Sequence, residues 1–211
     1  MIRLAGVVLI GFYAVLGGCM SLKQPSPKIE YYTLEYNSLR PDVNPGNTPV
    51  PAVLRLERFN IAPVYNTDRI IYRDQDFKRT SYTYYKWRAN PADLVTYFLG
   101  RDLTQSGLFL AIAPPGSGMA YTHIVEGSVD EFVEWDSHDG WEAILSVSVT
   151  LLVAGEPDIS KKVIFQRRFS ARQECEEKNP KAVAQAMSLA MAGVSREISM
   201  AIYRALGSGK D

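Results

Sequence analysis

Side chains able to do chemistry are few in this 211-residue chain. Histidine occurs twice, at His123 and His138. The second lies in the run Glu134-Trp135-Asp136-Ser137-His138-Asp139-Gly140. Serine, histidine and aspartate side by side do not make a catalytic triad, which needs side chains converging from separate segments. Asp136, His138 and Asp139 could ligate a metal, but their spacing matches no known metal-site pattern. A hairpin turn, with Asp and Gly chosen for backbone geometry, accounts for the same residues. His123 falls inside a run that reads as a strand, which points to a structural role. Nucleophile-elbow, phosphate-loop, dinucleotide-glycine and zinc-protease motifs are all absent from the sequence. The run Glu174-Cys175-Glu176-Glu177-Lys178 reads as a solvated loop before a helix. These features argue against an enzyme, and neither a cofactor nor a metal is expected.

The two cysteines, Cys19 and Cys175, have separate explanations. Arg3 is followed by an almost unbroken apolar run, Leu4 to Leu16. That run is short for a transmembrane helix, which needs about 20 residues, and suits the apolar region of a signal peptide. It ends in Leu16-Gly17-Gly18-Cys19, the pattern of a bacterial lipobox. By resemblance to that motif, residues 1–18 are a lipoprotein signal peptide, and Cys19 is diacylated, becomes the first mature residue and is then N-acylated, for instance with palmitate. Several acyl chains hold a protein firmly where one would be marginal. Met20 follows the cysteine. Aspartate there would suggest retention at the inner membrane, so its absence leans towards the outer membrane. Cys175, left without an intramolecular partner, is expected to be a small, buried or half-buried residue.

A third group of side chains can make contacts rather than catalyse. The chain holds 12 tyrosines against 8 phenylalanines and 3 tryptophans. Between Tyr82 and Trp87, Tyr82, Tyr84, Tyr85 and Trp87 interleave with Lys78, Arg79, Lys86 and Arg88. One reading is an aromatic and basic contact surface for a protein partner or a lipid headgroup. The other is a strand and loop packed on the core with charges at its rim. Tyr72, Arg73, Tyr84, Tyr85 and Trp87 are the candidate partner-binding residues. Formal net charge is zero, so bulk electrostatics favour neither nucleic acid nor an anionic surface.

The elements that position these residues are those of an α/β domain. Residues 19–28, with two prolines and no apolar period, form a tether from the lipid. A single domain spans 29–207, and 208–211 form a tail. Strands are expected at Ile29–Tyr36, Ala52–Ile61, Arg69–Arg73, Leu108–Ile112, His123–Trp135, Trp141–Leu151 and Lys162–Arg172. Asn37 to Pro51 reads as a long loop and Tyr82 to Trp87 as an aromatic loop. Gly155 to Ser160 reads as a turn. Asn90-Pro91 and Asn179-Pro180 each join a capping side chain to a proline suited to the first helical turn. The first helix carries Leu94, Val95, Phe98, Leu99 and Leu103 on one face and ends near Ser106-Gly107. The second is long, with Val183, Met187, Ala190, Met191, Val194, Ile198, Ile202 and Leu206 on one side, and ends at Gly207. The fold expected is a compact sandwich of a mixed β-sheet with packed helices, including a long C-terminal helix.

The lipobox Cys19, the early Tyr31-Tyr32-Thr33-Leu34, the strand ending at Pro63, Ile70-Ile71-Tyr72-Arg73 and Tyr85-x-Trp87 before Asn90-Pro91 together resemble the ABC-type transport auxiliary lipoprotein family, in particular its paraquat-inducible-type members. The resemblance implies a non-catalytic lipoprotein anchored in the outer membrane, facing the periplasm. Its implied partners are an MCE-domain (mammalian-cell-entry) substrate-binding protein and inner-membrane components of an intermembrane lipid transport system. A homo-oligomer is compatible with it. The long tyrosine segment and the proline-rich Asn37–Pro51 loop depart from the family pattern.

Two rival readings stand beside this one. An apolar pocket between the sheet and the Val183–Leu206 helix, lined by Met187, Met191 and Met200, would make the protein a lipid or small-molecule carrier; the same methionines serve equally as core packing. A hydrolase would draw on Asp136, His138 and neighbouring acids.

Overall fold

The computed structural model describes residues 27–38, 49–138 and 140–207. The signal segment, Cys19, most of the tether, most of the Asn37–Pro51 loop, Asp139 and the tail lie outside the described residues. The elements in chain order are β1 (Glu30–Tyr32), β2 (Val50–Leu56), β3 (Asn60–Ile61), a 3-10 turn (Pro63–Tyr65), β4 (Arg69–Arg73), β5 (Thr80–Trp87), α1 (Pro91–Ser106), β6 (Phe109–Ala113), β7 (His123–Asp136), β8 (Trp141–Val153), α2 (Ile159–Lys162), β9 (Val163–Glu174) and α3 (Pro180–Gly207).

The spine of the sheet is β7. One of its edges pairs antiparallel with β8 from His123 to Asp136. The other edge takes three parallel partners in succession: β2 at His123–Val125, β3 at Ser128–Val129 and β4 at Glu134–Trp135. β6 lies outside β2, and β5 and β1 lie outside β4. β9 continues the meander beyond β8 and pairs with nothing else among the described residues. The result is the expected mixed sheet.

Ala52–Ile61 is not the continuous strand that its alternation implies. Pairing stops after Leu56 and resumes at Asn60. In the interval Phe59 turns fully inward. Its ring lies over Gly127 of β7, where a β-carbon would come within 2.7 Å of the ring and also collide with the Ser148 carbonyl. The break lets a large ring fill space that only a glycine leaves. Three further differences are local. The first strand shrinks to Glu30–Tyr32. Ile159–Lys162, expected to begin in a turn, forms a helical turn capped by Asp158, whose carboxylate accepts from the Ser160 N–H at 3.0 Å. The aromatic loop is a strand, β5, as described below.

Both long helices start as their sequences dictate. Asn90 Oδ1 accepts from the Ala92 N–H at 3.0 Å, and Asn179 Oδ1 accepts from the Ala182 N–H at 2.9 Å. Each satisfies a backbone donor that the helix leaves open, and Pro91 and Pro180 lack the donor altogether. Gly107, with φ +65°, ends α1 in the left-handed conformation. The predicted apolar faces of α1 and α3 are buried, and only Leu206 stays half-exposed. The helices pack on each other and on one face of the sheet, forming the main core. Tyr65, Ile71, Val133 and Ile144 form a smaller cluster on the opposite face.

Candidate functional site

The candidate contact residues sit on β4 and β5, an antiparallel hairpin beside β7. Its register slips between Arg69↔Lys86 and Ile71↔Ser81, so β5 carries extra residues across that interval. A bulge of this kind breaks side-chain alternation. It places Tyr82 and Tyr85 together, although an odd spacing would send them to opposite faces of a regular strand. It also hid the strand from a period-two reading.

Four rings form a chain. Tyr72 and Tyr82 lie 4.8 Å apart between ring centres, Tyr82 and Tyr85 5.6 Å, and Tyr85 and Tyr32 6.3 Å. The last two pairs meet edge to face, a favourable aromatic geometry. All four rings are half-buried, and Tyr84 is exposed. The Tyr32 hydroxyl donates to Glu30 at 2.7 Å; burial and that carboxylate push its pKa up to about 12. The row is thus a semi-exposed aromatic surface.

Beneath this row lies a group that the sequence did not single out. Glu134 is 1% exposed. The Tyr82 hydroxyl donates to its Oε1 at 2.9 Å, while Oε2 has no partner. Burial pushes its pKa up to about 7; the Tyr82 bond opposes that shift, and the neighbouring Asp136 carboxylate adds to it. The nearby Cys175 thiol is pushed up to about 12, chiefly by burial. Cys175 is therefore buried, as expected of it, and its raised pKa keeps it a thiol.

The five candidate residues do not share one surface. Tyr72 and Tyr85 join the ring chain. Arg73, next to Tyr72 on the strand, faces the other way and stacks on Trp135 at 3.4 Å from its centre. Arg172 reaches the same indole at 4.6 Å. Burial, with the positive charge of Arg79 close by, lowers the pKa of Arg73 from its usual value. Trp87 is a correction: it is 2% exposed and packs edge to face on Phe132 in the main core, so it has no ring to offer a partner. The rings that join Tyr72 and Tyr85 instead are Tyr82 and Tyr32. Neither was legible as such, because the set depends on the bulge and on parallel pairing of β1 with β5.

His123 is half-buried and shares a 2.8 Å hydrogen bond with Thr122, and burial lowers its pKa. His138 is exposed at the β7–β8 turn, where the Gly140 carbonyl accepts from the Ser137 hydroxyl at 3.0 Å. Among the described residues no group of three or more His, Cys, Asp or Glu comes together. The carrier reading is corrected in its location. Met187 and Met191 are fully buried in the core, whereas Met200 lines an open groove of about 830 Å³ between α3 and β9.

Comparison with known proteins adds the following. The family model for the ABC-type transport auxiliary lipoprotein component matches residues 32–199. Protein XCC0632 from Xanthomonas campestris, of the DUF330 family, superposes with a TM-score of 0.74 at 18% identity, covering 85% of this chain and 97% of its own. An uncharacterised protein superposes at 0.62 with 15% identity, covering 83% of this chain and 99% of its own. Protein CT253 from Chlamydia trachomatis does so at 0.51 with 12% identity, covering 75% and 99%. At such identities the likeness is one of fold. No protein of curated function matches the chain.

Proposed function

The chain belongs to the ABC-type transport auxiliary lipoprotein family, and from that premise we propose that it is a non-catalytic docking component. Anchored in the outer membrane through Cys19 and facing the periplasm, it would hold the periplasmic MCE-domain protein of an intermembrane lipid transport system, which in turn reaches inner-membrane components. The observation that carries the docking role is the chain of Tyr32, Tyr85, Tyr82 and Tyr72. Tyrosine covers a large apolar contact at low entropic cost and keeps a hydroxyl for water or a partner. A lipid tether confines the domain to one membrane and raises its effective concentration for a partner that spans the periplasm.

Affinity capture of the full lipidated chain from gently solubilised envelopes, with mass spectrometry of the recovered proteins, tests this. Recovery of an MCE-domain protein that drops at least tenfold in Tyr84→Ala/Tyr85→Ala, with unchanged circular dichroism, supports both parts. Undiminished recovery in that folded double variant removes the tyrosine surface. An intact chain that brings down no MCE-domain protein removes the docking role itself.

A further inference from the structure

The groove between β9 and the last turns of α3 combines two chemistries rarely placed together by chance. Its floor is apolar: Ile164, Phe165 and Phe169 from the strand face Met200, Ala201 and Ala205 from the helix. Arg167, Arg196 and Arg204 line it together with one acid, Glu197, and Arg168 borders it. Arg168 is already held by Glu131 at 3.1 Å and by Asp130 at 3.6 Å. Arg167 and Arg196 make no ion pair among the described residues, and Arg167 rests over the Phe165 ring at 5.7 Å. β9 has no strand on its outer edge among the described residues, so backbone N–H groups along that edge are left for other acceptors.

Arg167 and Arg196, with no ion pair among the described residues, are the guanidiniums of this groove left for an anion. Guanidinium presents planar, forked donors that suit phosphate. Half-buried Phe165 and Met200 leave apolar surface beside that charge, which gains from contact with an acyl chain. The volume, about 830 Å³, falls in the range of about 300–1,000 Å³ typical of small-molecule sites. We propose that this groove binds one anionic phospholipid, its phosphate held by Arg167 and Arg196 and an acyl chain laid along Phe165, Phe169 and Met200. The site shares no residue with the tyrosine surface and stands or falls independently of the docking role.

The test uses the full lipidated chain in living cells. The photoreactive residue p-benzoyl-phenylalanine replaces Met200 in one strain and Leu189, 59% exposed on the same helix, in another. After irradiation the protein is purified and its adducts are identified by mass spectrometry. Phospholipid adducts at position 200 and not at 189 are expected. Adding Arg167→Ala/Arg196→Ala should lower the yield about tenfold, the size expected when two partly exposed charge contacts are lost. Arg167→Lys/Arg196→Lys should keep most of it. Equal lipid adducts at both positions would mean only closeness to the membrane and would overturn the proposal. Protein adducts at 200 in place of lipid would overturn it too, as would lipid adducts indifferent to the arginines.

Discussion

Met191 and Met200 lie on the same helix, less than three turns apart, and meet opposite fates. Met191 is sealed, with Met187 and Ile198, over the sheet. Met200 opens onto the groove where the edge strand β9 ends the sheet. At 3.6 residues per turn the two methionines point to opposite sides of the helix, so the helical period itself separates them. Met191 shares the buried face with Met187 and Ile198, whereas Met200 falls outside that face, on the flank that meets β9. A closed interior and an open groove here come from two sides of one amphipathic helix.

The largest expected effect tests the sealed side. Met191→Ala removes a fully buried side chain from a packed interior, where the loss combines lost transfer energy with a cavity. A destabilisation of about 2–5 kcal/mol is expected in urea unfolding. A loss under about 1 kcal/mol would mean that the interior beneath α3 is looser than its burial implies, and the contrast with the groove would weaken.

A second effect arises because the sealed region also holds ionisable groups. Asp102, 6% exposed, is matched by Arg101 at 2.8 Å and by the Tyr36 hydroxyl at 2.7 Å. Glu134 has no ion pair of its own: the Tyr82 hydroxyl and, more weakly, the Trp141 indole support it, while the nearby Lys178 is engaged with Asp136 at 3.0 Å. With its folded pKa raised from 4.5 to about 7, Glu134 keeps a proton that the unfolded chain would release. Its contribution is therefore complete below pH 4.5, declines as pH rises through 7 and is then lost. The difference is at most about 3 kcal/mol. Stability measured from pH 4 to 8 should fall less steeply in Glu134→Gln than in the parent chain, and identical profiles would contradict the raised pKa. The same ionisation would place a negative charge beneath the tyrosine row, so partner recovery should be measured at fixed pH.

Much of the fold was readable before the structure. The helices announced themselves through Asn90-Pro91 and Asn179-Pro180 and through their apolar spacing, because caps and periodicity act locally. The β7–β8 hairpin was equally plain, since its strands are neighbours in sequence. Failures came where distant segments decide. Phe59 breaks a strand to meet Gly127, which lies far along the chain. A bulge set by pairing with β4 disguised β5 as a loop. The candidate contact residues share the β4–β5 hairpin but lie on mixed faces, because Tyr72 and Arg73 take their direction from β7. The groove was displaced in the reading for the same reason: its arginines come from two segments about thirty residues apart, joined only by the way α3 lies over β9.

The smallest effect on stability gives the sharpest contrast between the two regions. Met200→Glu puts a charge at a position that is only half-buried and open to solvent. The carboxylate can stay hydrated, and the arginines around it supply opposite charge. Unfolding free energy should therefore change by less than about 1 kcal/mol, as for most partly exposed substitutions. The same change at Met191 would strand a charge in a sealed interior and prevent folding, because nothing there can solvate or pair it. If Met200→Glu proved as damaging as Met191→Glu, the groove would be closed in solution and the end of α3 would belong to the core. If it folds normally, the introduced carboxylate neutralises part of the arginine rim and occupies the acyl floor, so a folded protein is obtained in which the groove alone is disabled.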